Sequence, residues 1–450
     1  MNKKILNLAI PNIISNITIP LLGMVDLSVL GHLDSEIYIG AIAIGGMIFN
    51  FLYWGFSFLR MSTSGFTAQS YGRKNFKESA ILLSRALLVA LVGSVFLIAL
   101  QKPIGLFSFF IINGSKEVEA LASQYYYIRI YAAPATLSLY ALIGWFVGMQ
   151  NTKTPMIIAI VINVVNIALD LIFVFAFNMK SDGVALGTVI AQYSGLFIAL
   201  VLFYKYYKRF IKYWNYRAMI KLNEIKKFFI VNKDIFIRTL CLIIVFSFFT
   251  TESANTNNSI LAVNTLLLQF LFVFSYFIDG FAYAAEALTG RYVGAGDKLQ
   301  LKKTITQLFK WGFGLSIPFT IIYLIFGENI LYLLTDNKAI IDLSKNYIYW
   351  VAFIPIISFS AFLWDGIYVG ATASVAMRNS MLISTLFFFF PTYFLLQPII
   401  GNHSLWFAMI LFMGGRGLSQ TLLARKKVFF NRFEMLVELR GDNITTQKHL

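Results

Sequence analysis

Apolar residues fall into twelve runs, each near the roughly twenty residues a helix needs to cross the hydrocarbon core of a bilayer. The runs cover 5–31, 37–68, 80–101, 120–148, 156–177, 183–206, 235–254, 259–289, 305–327, 344–370, 379–400 and 404–424. Most loops between them are short. One long polar segment, Tyr204 to Asp234, carries nine basic residues against Glu224 and Asp234 and divides the runs into two sets of six. The pattern predicts an all-α polytopic membrane protein of twelve transmembrane helices in two six-helix lobes. The boundaries read as an N lobe over 1–204, a basic cytoplasmic linker over 205–234, a C lobe over 235–424 and a cytoplasmic tail over 425–450. An amphipathic helix on the membrane surface is the form expected of the linker.

Composition sharpens this picture. The 450-residue chain is 58% hydrophobic and 13% charged, whereas soluble domains carry about 25% charged residues. Mean hydropathy is +0.72. A net charge of +16 could point to nucleic acid, but the basic residues alternate between rich and poor loops. One side holds Arg73, Lys74 and Lys77, the cluster from Lys205 to Lys233, and Lys298, Lys302 and Lys303. On the other side Lys102, Lys116, Lys180, Lys338 and Lys345 are outnumbered by acids that include Asp34, Glu36, Glu117, Asp182 and Glu328. The positive-inside rule then places both termini in the cytoplasm, and the charge is topology rather than a nucleic-acid footprint. No small-residue cleavage site follows Met1 to Lys4, so no cleavable signal peptide is expected. The single cysteine, Cys241, lies in an apolar run and reads as a buried thiol.

The halves look duplicated. The GWFVG of Gly144 to Gly148 returns as the GIYVG of Gly366 to Gly370, 222 residues on, and Gly72 and Gly294 share that offset. Tyr126 and Pro134 match Tyr347 and Pro355 at 221. A small-xxx-small pattern is also an ordinary helix-packing device, yet concordant offsets are harder to obtain by chance. Each repeat has an even number of spans, so both halves insert in one orientation. They would be related by a pseudo-two-fold axis along the membrane normal, with a cavity between them.

Ionisable residues inside the spans carry the chemistry, because a charge in hydrocarbon is costly and normally faces a partner, a cavity or a transported ion. They are Asp26, Arg60, Arg129, Asp170, Arg238, Glu252, Asp279, Glu286, Asp365 and Arg416. Asp26 and Asp170 sit at similar depth in the first and fifth runs. Asn166 precedes Asp170 by four residues, which puts both on one helical face. An amide can hydrogen-bond either protonation state of a carboxyl, so the pair suits a proton relay, although a fixed polar contact between helices has the same signature. Pro11 and Pro20 share the first run with Asp26, and a proline can kink a helix. Asp279 and Glu286 are seven residues apart on one face. Arg60 and Arg129 are expected to pair with carboxylates in the N half. Glu252 falls near a span end, and Asp365 offers a second carboxylate site in the C half. No Walker loop, HExxH or metal-spaced Cys/His cluster is present, which argues against ATP-driven transport and metalloprotease chemistry. No cofactor is implied.

Short stretches along the whole chain resemble the multidrug and toxic compound extrusion (MATE) family, in its DNA-damage-inducible-protein-F branch. They are Val25 to Leu33, Leu59 to Gln69, Gln150 to Pro155, Asn166 to Asp170, Gly183 to Gln192, Asp279 to Glu286 and Asp365 to Thr372. The resemblance implies a V-shaped cavity that alternates between membrane faces. It also implies export of cationic or amphipathic compounds against inward H⁺ or Na⁺. Asp26 matches the family's first-helix aspartate, Pro11 its bending proline, and Asn166 and Asp170 its fifth-helix pair. Thr188 corresponds to a nearby threonine of helix 6. Together Asp26, Asn166, Asp170 and Thr188 are implied to hold the coupling proton or a sodium ion. Glu252, Asp279, Asp365 and Arg60 are secondary candidates. The seventh span departs from the branch in its polar end, Phe249 to Ser259.

Three functions are weighed on this basis. A proton-coupled antiporter in the inner or plasma membrane, acting as a monomer, is the leading one. A lipid-linked oligosaccharide flippase would need a cationic lining for pyrophosphate. A membrane-embedded transferase would need a nucleophile or metal constellation that the sequence does not offer.

Overall fold

A computed structural model describes residues 1–31, 37–112, 116–214 and 216–429, without the side chains at 19, 21–31, 39, 112, 216, 222–225, 227 and 425. All twelve spans are helical, and they are numbered below in chain order. Helix 1 is Asn2–Gly31. Helix 2 runs as Ile37–Gly55 and Ser57–Gly72, and helix 3 is Phe76–Ala99. Helix 4 is Lys116–Arg129 continued by Ala133–Gly148, helix 5 is Lys153–Leu171, and helix 6 is Ser181–Tyr207. In the second half, helices 7, 8 and 9 are Leu222–Thr256, Asn258–Ala295 and Lys298–Leu334. Helix 10 is Ile348–Gly370, helix 11 spans Ser374–Ile400, and helix 12 is His403–Ala424. Ten stretches among the described residues are long and apolar enough to cross a membrane. Helices 1 and 7 are the other two spans, and helix 7 begins with the charged end of the linker.

Local irregularities follow from local chemistry. Pro134 cannot donate to the carbonyl one turn back, and helix 4 tightens there into the 3₁₀ turn Ile130–Ala132. Helices 5 and 11 each contain a π turn, Ile172–Ala176 and Ser384–Phe389.

Backbone detail bears out the duplication. Lys74 and Gly296 both have positive φ, 58° and 70°, and so do Gln150 and Thr372, at 64° and 53°. Each pair is 222 residues apart. Asn75 caps helix 3 by accepting from the Glu78 N–H, and Asp297 caps helix 9 by accepting from that of Gln300. Glycines let the helices touch in the same paired way. A Cβ on Gly72 would lie 2.0 Å from the Arg291 carbonyl oxygen, and one on Gly294 would lie 2.1 Å from that of Gln69. Shifting Gln69 by 222 gives Arg291, so the two contacts are images of each other across the axis. Helix 2 therefore crosses helix 8 at backbone contact, where the basic-rich loops begin. On the same side, Gln69 Nε2 donates to Gly370 O at 3.0 Å, and Gln150 Nε2 to Ala287 O at 2.8 Å. The two lobes are closed together at their basic ends.

The linker is not the amphipathic surface helix expected. It forms a 3₁₀ turn, Lys208–Tyr213, a single turn, Tyr216–Met219, and then the first part of helix 7, which is 35 residues long. Tertiary anchors explain the difference. Arg85 Nη2 donates to Ala218 O at 2.8 Å, and Phe210 is buried edge-on to Trp145. Asp234, also buried, accepts from Arg378 Nη1 at 2.6 Å and Ser374 Oγ at 2.9 Å. Apolar groups that would have lain in the headgroups are taken up by the lobes instead. A helix absent from the sequence reading, Gln101–Ile112, joins helices 3 and 4. Cys241 is a buried free thiol, as expected.

Candidate functional site

In the N lobe, helical periodicity does what the sequence requires of it. Asn166 Nδ2 donates to Asp170 Oδ2 at 2.8 Å, and both residues are buried. Helix 6 reaches them because residue 187 is glycine. A Cβ there would stand 2.4 Å from Asp170 Oδ1. Thr188 is next along helix 6, buried, with its hydroxyl donated to Val184 O at 3.0 Å. Its lone pairs, not its proton, are what this rotamer can offer a cation. Asn163 Nδ2 donates to Thr18 O at 3.2 Å and ties helix 5 to helix 1. The side chain of Asp26 lies outside the described residues; the structure joins Asn166 to Asp170 and sets Thr188 one residue beyond the glycine that faces them.

Pro11 sits inside a continuous helix 1. Its missing N–H frees the carbonyl of Asn7, one turn back. The hydroxyl of buried Thr152, in the loop between helices 4 and 5, donates to that oxygen at 3.3 Å. Ser15 Oγ in turn donates to Pro11 O at 3.0 Å. The proline is thus a repaired discontinuity, with one repairing group on another element.

Across the lobes the picture is cationic as well as acidic. Arg60 Nη1 lies 3.5 Å from Glu286 Oε2, and its guanidinium stacks 4.4 Å from the Tyr283 ring. Its partner is therefore in the C half, not the N half as expected. Arg129 likewise takes no carboxylate among its described contacts; it donates to the Tyr125 hydroxyl and lies 4.9 Å over the Phe49 ring. Asp365 is held on three sides. Arg416 Nη2 reaches its Oδ2 at 2.7 Å, Arg238 Nη2 contacts the same oxygen, and Gln420 Nε2 donates to Oδ1 at 2.6 Å. Asp279 is only partly buried, has no hydrogen bond or ion pair among the described residues, and shares a face of helix 8 with Tyr283 and Glu286. Glu252 is apart from this group. It accepts from Tyr393 of helix 11 at 2.7 Å.

The sequence did not reveal that Arg238 and Arg416 share one carboxylate, nor the parts played by Gln420, Gly187 and Thr152. Gln420 had a visible signal, being four residues after Arg416 on one helical face. Gly187 and Thr152 had none, since their roles exist only across helices. Among the described residues no three His, Cys, Asp or Glu side chains converge as a metal site.

Comparison with known proteins gives one consistent answer. The MatE family model matches residues 11–172 and 235–394, one match in each lobe. DNA damage-inducible protein F of Escherichia coli (strain K12) is 38% identical over 426 residues, covering 94% of this chain and 92% of that protein. Protein DETOXIFICATION 44, chloroplastic, of Arabidopsis thaliana is 24% identical, covering 92% and 80%. A crystal structure of MATE in the straight conformation superposes with a TM-score of 0.86 at 17% identity, covering 95% and 96%.

Proposed function

Because this chain belongs to the MatE family of multi-pass membrane transporters, which are not enzymes, we propose that it exports cationic or amphipathic drugs and toxic compounds in exchange for inward H⁺. The buried Asn166–Asp170 pair carries this reading. It is an acid hydrogen-bonded to a neutral amide, in a lobe joined to helix 1 through Asn163 and Thr18. A proton entering there changes the acceptor into a donor, and the amide can turn to follow. Asp26, Asn166, Asp170 and Thr188 form the coupling site, and the same oxygens would serve Na⁺ if sodium were the driving ion. Pro11 is where helix 1 yields, with the Thr152–Asn7 contact made or broken as it bends. With the lobes closed at their basic ends, the cavity opens to the other side, and protonation there accompanies substrate release. Differential affinity of the cation for the two arrangements drives the cycle.

The remaining assignments belong to the same reading: cell (inner/plasma) membrane, both termini in the cytoplasm, a monomer. The N lobe spans 1–204, the linker 205–234, the C lobe 235–424 and the tail 425–450. The name of the plant relative carries detoxification, which is consistent with export. A lipid-linked oligosaccharide flippase is the second reading, and Arg60, Arg238 and Arg416 are the observation in its favour. Arg60 faces Glu286 while Arg238 and Arg416 share Asp365, which leaves one net positive charge against the several negative charges of a pyrophosphate, so the antiporter is preferred.

Uptake of a fluorescent cationic dye into inverted vesicles tests the proposal, comparing wild type with Asp170→Asn under a proton and under a sodium gradient. Proton-driven uptake that disappears in the folded variant is the expected result. Uptake that survives the variant unchanged moves the coupling site elsewhere, and absence of uptake in wild type under both gradients favours the flippase.

A further inference from the structure

The Asp365 cluster has more cation than it can use. Two guanidinium groups offer ten N–H donors between them, and they face one carboxylate whose Oδ2 they share while Gln420 occupies Oδ1. The Nε of Arg238 and that of Arg416 are both buried without a hydrogen-bond partner among the described residues. Arg416 is sealed, 2% exposed, between the Phe362 and Phe412 rings. Arg238 is not, with 14% of its side chain exposed. Its place on helix 7 shows where it looks. Val231, Ile235 and Arg238 recur on one helical face. The first two pack where Ser62 of the N lobe meets Val369 and Thr372 of the C lobe. Arg238 is the next turn along that face, between the lobes. Asp279, which lacks a hydrogen-bond partner among the described residues, shares a face of helix 8 with Tyr283 and Glu286, which meet Arg60 of the N lobe, so it too lies on the side that faces the other lobe.

We propose that this part of the C-lobe wall recognises a zwitterionic amphipathic substrate, with Arg238 receiving its carboxylate or sulfonate and Asp279 its ammonium group. The proposal rests on the transporter reading and adds a substrate class to it. A guanidinium that meets Asp365 through Nη2 alone keeps donors for a second acceptor on its exposed side. Asp365 fixes the orientation, and Arg416 supplies charge that cannot itself reach the ligand. Opposite charges on Asp279 and Arg238 make the wall dipolar, which a simple cation satisfies at one end only.

Two dyes that differ by one carboxylate test this: Nε-dansyl-lysine, a zwitterion, and dansylcadaverine, the same molecule without the carboxylate. Dissociation constants are measured by equilibrium dialysis on the purified full chain. Wild type should bind the zwitterion roughly tenfold more tightly, the usual size of one charge-assisted contact. In Arg238→Gln the ratio of the two constants should fall to about one, and Arg238→Lys should restore part of it. A variant that merely loosens the fold weakens both dyes and leaves the ratio intact. Equal binding of the two dyes by wild type overturns the proposal, as does a ratio unchanged in Arg238→Gln, whatever cationic-dye transport shows about the antiporter itself. Suppression of the ratio in wild type by dodecyl phosphate, but not by dodecyl sulfonate, would assign the position to a lipid phosphate instead and also overturn it.

Discussion

Asp170 and Asp365 are both buried carboxylates in membrane-spanning helices of one duplicated fold, and they are held in opposite ways. Asp170 has a neutral amide as its hydrogen-bond donor, on its own helix, with glycine facing it. Asp365 has two guanidinium groups and an amide, brought from helices 7 and 12. Taking the charge off Asp170 leaves an acid beside an amide, still hydrogen-bonded. Taking it off Asp365 leaves two buried cations without their counter-charge, which is the costly way to break an ion pair. A carboxylate within a membrane is therefore no sign of coupling in itself. The partners decide whether its charge is free to change.

Breaking the second arrangement should show first. Asp365→Asn should cost about 3–5 kcal/mol, the range for orphaning a buried charge, and appear as a large fall in the melting temperature of the detergent-purified protein. A shift of under two degrees would mean that Arg238 and Arg416 do not depend on the charge of Asp365. Next is Gly187→Ala. Its new methyl would sit 2.4 Å from Asp170 Oδ1, and overpacking of this kind costs about 1–3 kcal/mol. Denaturation by heat reads the cost, and proton-driven dye uptake should fall with it, since Asp170 must move aside. An alanine tolerated in both assays would place helix 6 further from Asp170.

Thr152→Val should be milder. It strips the donor from the Asn7 carbonyl opposite Pro11, a loss of about 1 kcal/mol. The informative readout is transport rate against stability: a slowed cycle with a modest loss of stability ties Thr152 to the bend of helix 1, and a stability loss alone makes it a static repair. The smallest effect on folding belongs to Asp170→Asn, under about 1 kcal/mol, because the new amide oxygen can still accept from Asn166 Nδ2. Transport should nevertheless stop. That separation, full loss of coupling with almost no loss of stability, is the mirror image of what Asp365→Asn predicts.

Much of the fold could be read beforehand, for physical reasons that are local. Hydrocarbon thickness sets span length, so the apolar runs gave the helices to within a few residues over most of the chain. The glycine offsets gave the repeat, because a backbone crossing that admits no Cβ leaves glycine as its trace. Chain-local patterns carry nothing about partners that are distant in sequence. Among the described residues Arg60 has no carboxylate partner in its own half; it crosses to Glu286 because helix 2 packs on helix 8. The linker's charges suggested a surface helix, and its aromatic residues and Asp234 were instead claimed by the lobes.

By itself the sequence determined the membrane class, the twelve helices, the twofold repeat and the Asn166–Asp170 pair. All of these depend on chain-local periodicity or on a fixed offset between copies. Only the tertiary structure decided which carboxylates keep company with arginine. Arg238, Asp365 and Arg416 lie on three helices, and their spacing along the chain carries no information about distance across the lobe. A charge buried at low dielectric is costly unless a counter-charge or hydrogen-bond donor stands in contact with it, and those neighbours are set by packing.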